Sequence, residues 1–117
     1  MPLIHHDLCF GCGRTNLFGL MLEATETGPG QLSGRAFIKQ DHQGPDPGRA
    51  HLGVIAAALG EAMALAAGVD ARLISLELEL IGAVPVGSFL EVQASADAGR
   101  TEASAHAGDR MIARASG

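Results

Sequence analysis

The run His51 to Gly68, HLGVIAAALGEAMALAAG, leaves this chain few folds to choose from. It is the one long uninterrupted apolar segment, preceded by the turn-like DHQGPDPGR and closed by a Gly. A single charge, Glu61, lies inside it. As a helix it covers roughly 17 residues, or about 25 Å at 1.5 Å per residue. Its apolar and small residues do not settle on one side, which predicts burial nearly all round. A soluble domain achieves that only by wrapping something around the helix, and a β-sheet is the expected wrapping.

The rest of the chain supplies such a sheet. GLMLEATETG (19–28) alternates Leu20, Leu22 and Ala24 against Met21, Glu23 and Thr25, the pattern of a half-buried strand. Gly28-Pro29-Gly30 is a turn signal, and QLSGRAFIK (31–39) alternates again with Leu32, Gly34, Ala36 and Ile38 inward. After the helix, Gly68 is placed as its C′ residue. RLISLELELI (72–81) is the cleanest alternation in the chain, with Ile74, Leu76, Leu78 and Leu80 on one face. SFLEVQASA (88–96), TEASAHA (101–107) and RMIARAS (110–116) follow, joined by Ala98-Gly99 and Gly108-Asp109. The order β-β-α-β-β-β-β with short links predicts an antiparallel sheet of about six strands around one central helix at about 51–67, an α+β domain. At 117 residues, one domain spanning 1–117 is expected, with 1–18 irregular.

Composition narrows the function classes. The net charge is −5, and there is no basic stripe to neutralise phosphates, so no nucleic-acid partner is expected. Trp and Tyr are absent, which removes the usual stacking platforms. The helix is short and contains Glu61, whereas a membrane span needs about 20 apolar residues. MPLIHHDLCF lacks a charged start followed by an apolar run, so no signal peptide is expected. The two cysteines lie three apart, too close to staple a fold usefully, and a cytoplasmic location is the default expectation.

Cys9-Phe10-Gly11-Cys12 has the spacing of half a zinc site, which His5 or His6 would complete. A second CxxC is missing, so the preferred reading is a Gly-rich turn holding two small, partly buried thiols. No metal and no cofactor are assigned. On the helix, Gly53, Ala57, Gly60 and Ala64 form a small-residue stripe suited to close approach of another backbone or a second copy. Gly60 in mid-helix costs about 1 kcal/mol against Ala, which close approach would offset.

The element order, together with three local runs, resembles the hotdog-fold acyl-CoA thioesterase superfamily, in particular phenylacetate-degradation-type thioesterases. CFGCGRTNLFGL (9–20) is similar to their opening, C-x-x-C-G-x-x-N-x-x-G-L. HQGPDPGRAHLGVIAAALGEAMALAAG (42–68) is similar to their turn, His-Gly-Gly and apolar helix. LELELIGAVPVGSFLEVQASADAGRTEASA is similar to their strand, Pro-Gly bend and hairpin. The resemblance spans about 9–117. It implies hydrolysis of an acyl-CoA thioester, with helix-start amides polarising the carbonyl and an acidic helix residue activating water or attacking. It also implies two-fold dimers with sites at the interface, and in some relatives tetramers.

Two departures fall on the site. The His-Gly-Gly is here His51-Leu52-Gly53, and the usual acid nine positions after the His is here Gly60, with Glu61 beside it. A helix start offers unpaired N–H groups and about half a positive charge, so Gly53 is a candidate oxyanion donor and Leu52 a residue narrowing the acyl pocket. Glu61 is the only helix carboxylate available as base, but it sits about 100° around the helix from position 60. Burying it ionised is expensive, so it must face water, find a partner or shift its pKa. His51 is read as positioning the helix start rather than as a base. His42 either lines the pocket mouth or binds substrate, or is an exposed loop residue. Asn16 matches the relatives' N-terminal Asn, and Arg49 is the chosen partner for coenzyme A phosphates. Three readings compete: a thioesterase, a hotdog protein that binds an acyl thioester or other ligand without hydrolysing it, and a small Cys/His metal-binding module.

Overall fold

The computed structural model describes residues 3–108 and 110–117. Its strands are β1 (Glu23–Gly28), β2 (Gln31–Phe37), β3 (Glu77–Leu80), β4 (Phe89–Asp97), β5 (Arg100–Ala107) and β6 (Arg110–Ser116). One α-helix, α1 (Leu52–Ala67), and a short 3-10 turn (Gln40–His42) complete the elements. The strands form one antiparallel sheet in the order β1-β2-β4-β5-β6-β3, and α1 packs on it against β1, β2, β4, β5 and β6.

The alternation in the sequence sets which side chains meet the helix. Leu20, Leu22, Ala24, Leu32, Ala36, Ile38, Leu90, Val92 and Ala94 are all buried, as the period of two requires. They close over Ile55, Ala58, Leu59, Ala62, Met63 and Leu65 of α1. Two turns show why the hairpins form. Ala98 and Gly99 both have positive φ (50° and 80°), the geometry that matches strand twist in a two-residue hairpin. Gly68 ends α1 at φ 136°, its N–H donating to the carbonyls of Ala64 and Leu65.

Three expectations change. The helix is not buried all round: its small-residue side, Ala57, Gly60 and Ala64, is half-exposed and Gly53 is exposed. Small side chains carry little apolar surface, so their position does not register as a period. Among the described residues no backbone lies close to Gly60 either. A Cβ built there meets only Leu73 Cδ2, at 3.6 Å. Third, the run 72–81 forms a strand only at 77–80. It lies on the sheet edge, paired to β6 alone, and leaves Ile74 98% exposed with Leu76, Leu80 and Ile81 also open to solvent. Alternation reports that one face is meant for burial; here Leu78 packs partly against the core, and Ile74, Leu76 and Leu80 stay open.

Candidate functional site

The start of α1 is built from three loops. The bend before β4 donates and accepts backbone hydrogen bonds here: Ala50 N–H to Val84 O (2.8 Å) and Val86 N–H to Gly48 O (2.9 Å). His51 is the N-cap, in extended conformation, and its Nδ1 accepts from Gly53 N–H at 2.8 Å. This is ordinary capping chemistry from an unusual residue. It engages the Gly53 amide that the sequence offered as an oxyanion donor. The Leu52 amide, one residue earlier, has no acceptor among the described residues. Leu52 itself is exposed. The helix start thus keeps an open donor, at Leu52 rather than Gly53.

His42 is not an exposed loop residue. It is 3% exposed. Its Nδ1 accepts from Lys39 N–H (3.0 Å), which leaves Nε2 to donate to Phe18 O (3.2 Å). Its own carbonyl accepts from His51 N–H (2.8 Å). His42 therefore ties the N-terminal segment to the helix start. Asn16 orders that same segment: Nδ2 donates to Leu8 O (3.1 Å), and Oδ1 accepts from Phe18 N–H (3.2 Å). Arg49 is exposed just before the helix, with no side-chain hydrogen bond or ion pair among the described residues.

Glu61 lies two turns further on, eight residues or about 12 Å along the axis from Gly53. It has found the partners its burial demands. His5 Nδ1 stands 2.7 Å from Glu61 Oε2, and Cys9 Sγ–H donates to the same oxygen at 3.3 Å. Cys12 Sγ is 3.4 Å from His5 Nδ1 and accepts from His5 N–H at 3.1 Å. The N-terminal segment can close down this far because of its glycines. A Cβ at Gly11 would stand 2.5 Å from Glu61 Cδ, and one at Gly13 would run into the Asp7 carbonyl. Burial, followed by the hydrogen bond to Glu61, pushes the Cys12 thiol up to about 12, so it is neutral in the metal-free chain. His5 Nε2 is buried with no partner among the described residues. The sequence pointed to the CxxC and to His5, and separately to Glu61. Nothing in the 48 positions between Cys12 and Glu61 joins the two, and only the fold brings them together.

Another concave surface lies on the outer face of the sheet, among Gln31, Ser33, Gln93, Ser104 and Arg114. Its serines and the carboxylates of Glu77, Glu79 and Glu102 share no hydrogen bond among the described residues, and Glu79 is paired with Arg114.

One helix laid across a six-stranded antiparallel sheet in this order is the hotdog fold. Solved structures of the thioesterase superfamily share it. A thioesterase superfamily protein matches with TM-score 0.77 at 19% identity, over 93% of this chain and 61% of its own length. This chain therefore spans about three-fifths of that protein. A mutant form of the phenylacetic acid degradation protein PaaI from Thermus thermophilus matches with TM-score 0.73 at 19% identity, over 82% of this chain and 89% of its own. A conserved protein from Pseudomonas aeruginosa matches with TM-score 0.73 at 23% identity, over 84% and 86%. No protein-family model and no curated protein sequence matches the chain. The hotdog fold and its likeness to phenylacetate-degradation-type thioesterases, expected from the sequence, are thus both found in the structure comparison. No helix among the described residues is long and apolar enough to cross a membrane.

Proposed function

We propose that this chain acts on an acyl thioester, with acyl-CoA as the substrate class, hydrolysing it to the free acid and coenzyme A. The observation carrying this reading is the Leu52 amide at the start of α1, without an acceptor among the described residues and in an exposed residue, on a fold shared with thioesterase-superfamily structures. Charge develops on the carbonyl oxygen as the thioester is attacked, and a helix-start donor stabilises it where it forms. Glu61 is the carboxylate available to deprotonate water. At about 12 Å along the helix it cannot reach a carbonyl held at its own helix start. The carboxylate must therefore come from a second copy, its helix running antiparallel to the first across the small-residue side, and Glu61 must turn out of its His5–Cys9 contacts to reach it.

The exposed Ile74, Leu76, Leu80 and Ile81 beside the open edge of β3 support the same pairing. An unpaired edge flanked by apolar side chains is a template for another chain, and two-fold dimers are the commonest assembly. The expected result is a dimer or a dimer of dimers in sedimentation at micromolar concentration, and Ile74→Lys/Leu76→Lys dissociates it. A wild-type monomer would remove the composite site.

A second reading, binding without turnover, is favoured by two observations: position 60 carries no side chain, and Glu61 Oε2 is engaged by His5 and Cys9. Thiol release from a panel of acyl-CoAs separates the two. Under the hydrolase reading the wild type exceeds the buffer rate, and Glu61→Gln lowers it by about 10²-fold or more, the usual worth of a general base. Saturable acyl-CoA binding with no thiol release selects the second reading.

A further inference from the structure

We propose that His5, Cys9, Cys12 and Glu61 form a zinc-class metal site that pins the N-terminal segment to the central helix. The four side chains each offer one donor atom, and all four atoms lie within 4.8 Å of one another. Four donors around a tetrahedral zinc, with bonds near 2.3 Å to sulfur and 2.0–2.1 Å to nitrogen or oxygen, stand roughly 3.3–3.8 Å apart. The separations here are 3.4 Å for Cys12 Sγ to His5 Nδ1, 3.8 Å for Cys9 Sγ to His5 Nδ1 and 3.3 Å for Cys9 Sγ to Glu61 Oε2. The Cys9–Cys12 and Cys12–Glu61 pairs lie within 4.8 Å, and the His5–Glu61 contact, at 2.7 Å, is shorter than the tetrahedral spacing. An ion between those two atoms requires them to part by about half an ångström, within the reach of two side-chain torsions.

The donor set selects the metal. Two sulfurs and an imidazole suit zinc, with the carboxylate as fourth ligand, and exclude magnesium and calcium, which take oxygen. Four protein ligands make a closed, structural centre. Loading transfers the two thiol protons to solvent, and His5 binds through Nδ1 as the neutral Nε2–H tautomer, so that two thiolates, one neutral imidazole and one carboxylate face the ion. The surroundings are built for it. Cys12 is fully buried, its Sγ already receives the His5 backbone N–H, and Gly11 leaves the room Glu61 needs. Hydrogen bonding by itself accounts for the His5–Glu61 contact but gives no reason for two thiols to converge on the same pair. The centre does not depend on the proposed hydrolysis. A Glu61 bound through Oε2 has that oxygen committed, so an occupied centre weighs toward binding without turnover.

The test uses the full chain, reduced and loaded with zinc, then exchanged into metal-free buffer and measured for metal by mass spectrometry. Cobalt(II) is substituted in parallel. The expected result is one zinc per chain, a tetrahedral cobalt spectrum with a thiolate charge-transfer band, and zinc protection of Cys9 and Cys12 from alkylation. Cys9→Ser or Cys12→Ser should weaken zinc binding by more than about 100-fold, beyond what loss of an outer-shell partner costs, while His6→Ala leaves it unchanged. Zinc that washes out of the wild type, or cobalt bound without the thiolate band, overturns the proposal. The cobalt spectrum and the alkylation pattern are read on the wild type, so they decide even if a variant fails to fold. Metal content is measured without substrate. A chain that holds zinc and releases no thiol therefore counts against the hydrolase reading alone.

Discussion

Gly60→Asp is expected to raise thiol release from acyl-CoA by about 10²–10⁴-fold over the wild type, the range contributed by a positioned general base. The related thioesterases, by resemblance, carry their acid at this place in the helix, and here the place is empty. The backbone is ready for it: position 60 lies in regular helix, and an added Cβ meets nothing closer than Leu73 Cδ2 at 3.6 Å. The side chain would stand on the half-exposed, small-residue side, the side proposed to face a second copy. It would not be drawn into the His5–Cys9–Cys12 cluster, because Glu61 points there and position 60 is about 100° away. Gly60→Ala is the control. It should gain about 1 kcal/mol of stability from helix propensity with no gain in turnover. If folded, dimeric Gly60→Asp shows the same rate as wild type on every acyl-CoA tried, the helix start is not holding a thioester carbonyl and the proposed substrate class is wrong. Adding Glu61→Gln to Gly60→Asp should leave the gain intact.

His42→Leu should lower stability by roughly 2–4 kcal/mol, through the loss of two hydrogen bonds and the stranding of the Lys39 amide. In a domain of this size that is a fall in Tm of roughly 8–16 °C. The replacement keeps an apolar body in a buried position, so most of the loss is polar. Lys39, Phe18 and His51 all lean on this one residue, whose ring and carbonyl join the N-terminal segment to the helix start beside the Lys39 Nζ bonds to Leu17 O and Gly19 O. A pocket-lining His42 would behave differently: Tm would hold and KM for acyl-CoA would rise. Thermal unfolding and a KM measurement on the same preparation tell the two apart.

These residues also mark how far the sequence could be read. The strand faces of 31–38 and 90–94 and the place of α1 were all legible, because a period of two and a long apolar run are local consequences of burial. The run 72–81 was legible as an alternation but not as an edge. Its period says that Leu76, Leu78 and Leu80 share a face; it does not say that only 77–80 would pair within this chain. His42 had no pattern to read. It is one imidazole in a polar loop, and its burial follows from where the N-terminal segment crosses that loop.

By itself the sequence determined the hotdog order, the inward faces of most strands, the central helix and the one carboxylate on it. Those properties depend on neighbours within a few positions, where periodicity and turn chemistry act. The tertiary structure alone decided what Glu61 faces. A carboxylate in an apolar helix must find a partner, but the partner's identity depends on a segment some fifty residues earlier folding across the helix. Gly11 and Gly13 let that segment close, and His5, Cys9 and Cys12 arrive with it. The tertiary structure likewise decided that the His51 ring caps Gly53 and leaves the Leu52 amide open, a distinction of one residue set by the angle at which the chain turns into the helix.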